Sequence, residues 1–487
     1  MSTQTPTSAP PDDRPVVGAL KRNSLGTGGI TFLVVSAAAP LTVIAGTVPL
    51  AILIGGAAAP LAYLVVGLAL AVFAVGFMAM TRHVTKTGGF YTYITEALGK
   101  HVGLGAGILA LVSYNAMQIG IYGLFAVSAR AMLATLLGIE VPWPVLAFVA
   151  VVLVWAMGFA GIDLGAKVLG VLLIVETLVL VVLGIAILAG GGGPEGFGAG
   201  AFAPENVFTP QFAVTLGLAF GAFIGFESTA LYRAEARSAD RTIPRATYIA
   251  VFAMTFFYFA MAWLLIQAHG ESLVQAFIGQ NGVETFIFAT AETQLGHWAT
   301  VTLLLLILTS VYAALLAFHN SINRYSYALA RDGVLPAMLG RTRQRNGSPW
   351  VAGLVQTGLA ALIVGGFAIA GADPYLQLLI WVNTPGVIGV VCLQILASVA
   401  VVVYFTRNRG AERHRFAVPA AIAGGILMTL FTWLIVTNIE VLTGAPAGTN
   451  VVILSVVPIS FAVGVVLAAV LKRRRPAAYE RIGGQGQ

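Results

Sequence analysis

Apolar runs of membrane-spanning length follow one another along nearly the whole chain, and they restrict the fold more than any other feature. A helix needs about 20 apolar residues to cross the hydrocarbon core of a bilayer. Stretches such as 168–189, "VLGVLLIVETLVLVVLGIAILA", reach that length. The 487 residues are 58% hydrophobic and 9% charged, where a soluble domain carries about 25% charged residues. An all-α integral membrane protein is expected. The single cysteine, Cys392, excludes an internal disulfide.

Twelve spans can be marked, near residues 26–54, 58–81, 102–137, 143–161, 165–189, 211–236, 244–268, 298–330, 350–370, 375–405, 416–438 and 450–471. The proline-rich residues 1–22 read as a disordered tail and residues 476–487 as a second, short tail. The first apolar block is too long for a signal-peptide core and is expected to be retained. An even number of spans places both termini on one side. Of the 26 Lys and Arg, all but Arg130 fall on that side. The positive-inside rule makes it the cytoplasm. The net charge of +7 is thus a topology signal and gives no reason to expect a nucleic acid. The tail "KRRR" (472–475) is suited to anionic lipid.

Of the 19 acids, only Glu176 and Glu227 fall at membrane depth. An ionisable side chain there costs about 2.5–3.5 kcal/mol even by the lower estimates, so each requires a reason. Two spans also carry breakers at matching places. The first reads "SAAAPLTVIAG", with Pro40 in mid-helix; the sixth reads "GAFIGFES", with Gly225 two residues before Glu227. Proline removes a helical hydrogen bond and crowds the preceding turn. Spans 1–5 and 6–10 would then each open with an interrupted helix. Because five is odd, the second set starts on the opposite side of the membrane. This is the pattern of an inverted repeat with a midplane site between two discontinuous helices. Exposed backbone N–H groups at such a break attract a carboxylate, and exposed carbonyls an ammonium. Pro40 has no N–H, so the donors expected are Leu41, Thr42 and Val43, with Ala38 and Ala39 on the other side of the break.

At this point the sequence resembles the amino acid–polyamine–organocation permeases. "GAFIGFES" followed by "EARSADRTIPRA" resembles that family's sixth-span break and the loop behind it, with Pro244 opening span seven. "TKTGGFYTYITEALGK" (85–100) resembles its first cytoplasmic loop, and "YALARDGVLP" (327–336) the end of its eighth span. The resemblance covers the chain after residue 20. It departs in span one, where "SAAAPLT" stands in place of the Gly-Ser-Gly-like break of many members. The implied fold is the leucine-transporter type, a 5+5 inverted repeat with 12 transmembrane helices. On that reading residues 23–475 form one transporter domain: repeat one 26–189, repeat two 211–405, and extra helices 416–471.

The same resemblance implies a role for Glu227 in proton-linked conformational change. It also sets Glu176 where some proton-coupled relatives carry a lysine in place of a sodium ion. The residues themselves leave two readings for each. Glu176 is a proton carrier or a carboxyl group hydrogen-bonded between helices. Glu227 couples protonation to movement or caps the second half of span six. In span three, Asn115, Gln118 and Tyr122 share one helical stripe, facing either a substrate cavity or another helix. By resemblance Phe318 sits over the substrate; His319 beside it is a second proton site or a satisfied interior histidine. Phe223, Ile224 and Phe226 in span six and Asn383 in span ten complete the expected substrate contacts.

An intramembrane enzyme is disfavoured, since the chain has no HExxH and no GxSG. A channel would need symmetric rings of ligands. The expectation is a secondary transporter of amino acids in the plasma membrane, proton-coupled, working by alternating access. The alternatives are a polyamine or cationic amine carrier and an amino acid exchanger. Its partners would be the small-molecule substrate, protons and membrane lipid, with no cofactor and no metal. The oligomeric state is left open.

Overall fold

The computed structural model describes residues 26–84, 89–160, 163–232, 236–343, 348–408 and 415–484. The expected tail 1–22, residues 85–88 of the Gly-Gly-aromatic element, and residues 233–235 of the charged loop after span six lie outside this set. All the long elements described are helical. Among the described residues, ten stretches are long and apolar enough to cross a membrane; one of them, Pro40–Met80, takes in two apolar runs, and Trp143–Phe159 is a shorter apolar helix.

We number the helices that carry the argument. They are α1 (Thr27–Ala38), α2 (Pro40–Gly46), α3 (Val48–Gly55), α4 (Ala59–Met80), α5 (Gly89–Leu98), α6 (Lys100–Leu137), α7 (Trp143–Ala160) and α8 (Asp163–Ala189). They continue with α9 (Pro210–Phe223), α10 (Ala239–Gln267), α11 (His297–Arg331), α12 (Trp350–Ile369), α13 (Ile380–Arg407), α14 (Ala417–Thr437), α15 (Ala447–Arg474) and α16 (Pro476–Arg481). Short helices at Pro204–Val207, Val274–Asn281, Phe286–Leu295 and Ile439–Thr443 cover the face opposite the one where α15 ends. That second face is called the terminal face below.

The first apolar run is cut twice, at Ala39 and again at Thr47, so it forms three short helices. The second cut was not expected; Pro49, in the first turn of α3, forgoes a helical hydrogen bond there. Pro244 does not open the helix after the charged loop. That helix begins at Ala239, and Pro244 lies inside α10.

α6 is the central pillar, packed against α5, α7, α11, α13 and α15. Its contact with α13 is close because α13 presents glycines. A Cβ on Gly389 would lie 2.1 Å from Ser113 Oγ, and one on Gly386 2.8 Å from the Ser113 carbonyl. Small residues let helix backbones approach where dispersion must do the work of the hydrophobic effect. Exposed aliphatic side chains such as Leu178, Leu362 and Val451 face outward on α8, α12 and α15, as hydrocarbon surroundings require.

Candidate functional site

The first break is a left-handed residue followed by a proline. Ala39 has φ 45° and ψ 78°, and Pro40 starts α2. That conformation ends α1, and Pro40 is placed where its missing N–H costs least. Val43 N–H returns to the Ala39 carbonyl at 3.2 Å. The other amides expected to face a substrate are already taken. Leu41 N–H donates to Glu176 Oε1 at 3.4 Å, and Thr42 N–H donates to Ser310 Oγ at 3.2 Å. The Thr42 hydroxyl also donates to Ser310 Oγ at 3.0 Å. Ser310 in turn donates to Glu176 Oε1 at 3.0 Å. Glu176, 1% exposed, thus fastens the start of α2 to α8 and α11. Beside it lies a small pocket lined by Ala39, Leu172, Leu173, Glu176, Thr309, Ser310 and Ala313.

The second break follows α9. Gly225 has φ 117°, which a residue with a Cβ adopts only under strain. A tight 3-10 turn, Phe226–Tyr232, continues the chain. Gly225 N–H donates to Glu227 Oε2 at 3.0 Å, and the Ser228 hydroxyl donates to the Gly225 carbonyl at 2.5 Å. Glu227 is therefore a cap. It is also a tie, because the Tyr114 hydroxyl of α6 donates to Glu227 Oε1. The Tyr114 ring stacks on Tyr325 at 5.5 Å and lies 5.9 Å from Phe318.

Between the breaks is a cavity of about 860 Å³, its mouth included. Ala38, Thr42 and Val43 bound it from the first break, and Gly221, Ala222 and Ile224 from the second. Phe318 and Asn383 line it from α11 and α13. Toward the face opposite the terminal one it runs past Thr47, Gly217, Leu379, Ile435 and Leu442. None of its lining residues is Asp, Glu, Lys, Arg or His. Asn383 Oδ1 is buried without a hydrogen-bond partner.

Several expected contacts lie elsewhere. Asn115, Gln118 and Tyr122 are not on the cavity wall. Asn115 donates to the Leu111 carbonyl at 2.8 Å. Gln118 donates to the Leu315 carbonyl at 3.2 Å and to the Tyr122 hydroxyl at 3.4 Å. The stripe joins α6 to α11, and the neighbouring stripe Met117, Ile121 and Leu124 faces the cavity. Phe223 packs edge-on against Tyr258 at 5.6 Å and Phe226 against Phe73 at 6.2 Å; both are core. Ala39 and Leu41 belong to the Glu176 cluster instead. His319 is buried against Gln356, whose amide also donates to the His319 carbonyl at 3.2 Å. Most of the cavity residues that sequence reasoning missed, Ile435 and Leu442 among them, are aliphatic and carry no signal in an apolar chain.

Helices that cross a membrane, with two interrupted chains meeting at a buried uncharged cavity, define a multi-pass membrane protein built around a small-molecule site. The amino acid permease family model matches residues 25–467, and the chain belongs to that family. Its relatives are transporters, not enzymes. It is 24% identical to the branched-chain amino acid permease BcaP of Lactococcus lactis over 329 residues, 61% of this chain and 67% of that one. It is 28% identical to an uncharacterized transporter of Mycobacterium bovis over 315 residues, 57% of this chain and 60% of that one. To the low-affinity putrescine importer PlaP of Escherichia coli it is 25% identical over 283 residues, 55% of this chain and 58% of that one. The matches to the last two relatives thus span less than two thirds of their length.

Proposed function

We propose that the protein carries a neutral amino acid with an apolar side chain into the cell across the plasma membrane, by alternating access and coupled to protons. The observation that carries this reading is the uncharged, largely aliphatic cavity between the two breaks. A dication such as putrescine would enter it without a counter-charge, and an unpaired charge in such surroundings is costly. The name of the Lactococcus relative, a branched-chain amino acid permease, agrees with an aliphatic cavity. The unpartnered Asn383 Oδ1 is the acceptor for the substrate ammonium. Thr42 serves the carboxylate; it lines the cavity and donates to Ser310, which in turn donates to Glu176, so a carboxylate that draws Thr42 away from Ser310 is felt at Glu176. Glu176 is the proton carrier in this scheme, and Glu227 sets the second break.

The architecture proposed with it is the 5+5 inverted repeat. Splitting Pro40–Met80 at its bend and adding Trp143–Phe159 turns ten candidate spans into twelve. The clustering of basic residues supports a cytoplasmic position for both termini.

The test is uptake of labelled leucine, isoleucine, valine and putrescine into proteoliposomes, with and without an inward proton gradient. Leucine-type uptake into empty vesicles that rises with the gradient is expected, and the rise is lost in Glu176→Gln. Uptake confined to preloaded vesicles and indifferent to the gradient makes the protein an exchanger and Glu176 structural. Preference for putrescine refutes the cavity argument.

A further inference from the structure

The residues after α15 fold back onto the terminal face and are held by a specific set of contacts. Asp332, just past the end of α11, is the hub. Its Oδ2 accepts from the Tyr91 hydroxyl of α5 at 2.7 Å and from Gly483 N–H and Gly484 N–H at 3.1 and 3.2 Å. Gly483 N–H also reaches the Tyr91 hydroxyl at 2.8 Å. Ile482 beside them is fully buried. Glu480 forms an ion pair with Lys100 at the start of α6, and the Tyr479 hydroxyl lies 3.1 Å from His101 Nδ1. A loose tail would have none of these: one carboxylate gathers three donors, two of them from the tail backbone.

The position of the clasp gives it meaning. Tyr91 belongs to α5, and α5 packs against both α13 and the turn Phe226–Tyr232 that follows the second break. α11, which ends one residue before Asp332, also lines the cavity through Ala314 and Phe318. The cavity runs toward the opposite face, while on its terminal side Tyr114 is tied to Glu227 and stacked on Tyr325. The clasp is thus made in an arrangement whose cavity extends away from it. On the alternating-access reading, opening a route on the terminal side would part α5 and the turn from their neighbours.

We propose that residues 476–484 are a regulatory latch, which ties α5 to the end of α11 through Tyr91 and Asp332 and favours the state closed on the terminal face. A contact present in one state and absent in the other shifts the balance by its own free energy, whatever its distance from the substrate. Anything that lifts the segment, whether a modification, a partner or a lipid surface, would speed opening. The latch rests on the alternating-access reading above, but part of its test does not.

That part is amide hydrogen exchange on the purified full-length protein, which needs no substrate. Deletion of residues 476–487, Asp332→Asn and Ile482→Asp should each speed exchange in 89–98 by about tenfold, the scale of one hydrogen bond to a charged group. Exchange in α8 and α12 should be unchanged. In proteoliposomes the same variants should raise the initial rate of leucine uptake. Unaltered exchange in 89–98 overturns the latch. So does loss of protection throughout the protein, which makes the segment a strut, or uptake that falls as α5 loosens. If the parent protein transports neither amino acids nor putrescine while 89–98 still loosens, the transport reading fails and the clasp on α5 stands.

Discussion

At Ala39 a residue with a Cβ is held at φ 45°, a conformation that costs an L-residue roughly 1–2 kcal/mol. The fold keeps it because Pro40 must start a new helix there and Leu41 and Thr42 must turn toward Glu176 and Ser310. Ala39→Gly removes the strain and should raise the thermal unfolding midpoint in detergent, while Ala39→Val should lower it. Tyr114 presents the opposite case, a single hydroxyl shared between two elements. Tyr114→Phe leaves Glu227 Oε1 without that donor in a buried site, a loss of about 1–3 kcal/mol. Leucine uptake should fall about tenfold at equal amounts of folded protein, measured as initial rate. If uptake is unchanged, the tie between α6 and the second break plays no part in transport.

At the scale of elements, the loop between α10 and α11 is an ordered cap built around one imidazole. His269 stacks on Phe277 with ring centroids 4.0 Å apart, meets Phe286 at 5.3 Å, and pairs with Thr290 Oγ1 at 2.8 Å. Burial holds the His269 imidazole down from the usual 6.5 to about 4. The folded protein therefore refuses a proton that the unfolded chain accepts. The cap contributes fully above pH 6.5 and loses stability as pH falls from there towards 4. Thermal unfolding in detergent across that range should show a decline that is shallower in His269→Gln. Equal slopes for the two proteins would refute this account. Elsewhere the elements were legible because their signals are local. Pro40 and Gly225 mark the breaks through their own backbone chemistry, whereas "TKTGGFYTYITEALGK", read as a cytoplasmic loop, contains the whole of helix α5. The break at Thr47 was not legible, because a Val-Pro step in an apolar run also fits an unbroken helix with a kink.

For the whole molecule, the cavity draws on helices beyond α13. Ile435, near the end of α14, and Leu442 beyond it both line the wall. A Cβ on Gly217 of α9 would stand 3.3 Å from Ile435 Cγ1, so the two helices leave little room between them at the wall. Ile435→Ala should therefore widen the cavity and shift preference toward larger side chains. Phenylalanine uptake relative to valine should rise about tenfold, the scale of one to three kcal/mol for methylene-sized changes in an apolar pocket. An unchanged ratio in competition uptake would place substrate selection within α1–α13 alone.

The sequence by itself determined that the chain crosses a membrane many times, where two of its helices break, which two acids lie at depth, and which family it resembles. These follow from composition, from the backbone limits of proline and glycine, and from the cost of charge in hydrocarbon. Only the tertiary structure decided what each acid holds and which side chains face the cavity. Leu41 and Glu176 are 135 residues apart in sequence and meet across two helices. The period of α6 groups Asn115, Gln118 and Tyr122 on one stripe and Met117, Ile121 and Leu124 on another. Which stripe turns toward the cavity depends on the rotation of α6 against α11 and α13, set by packing between distant segments, and no local pattern encodes it.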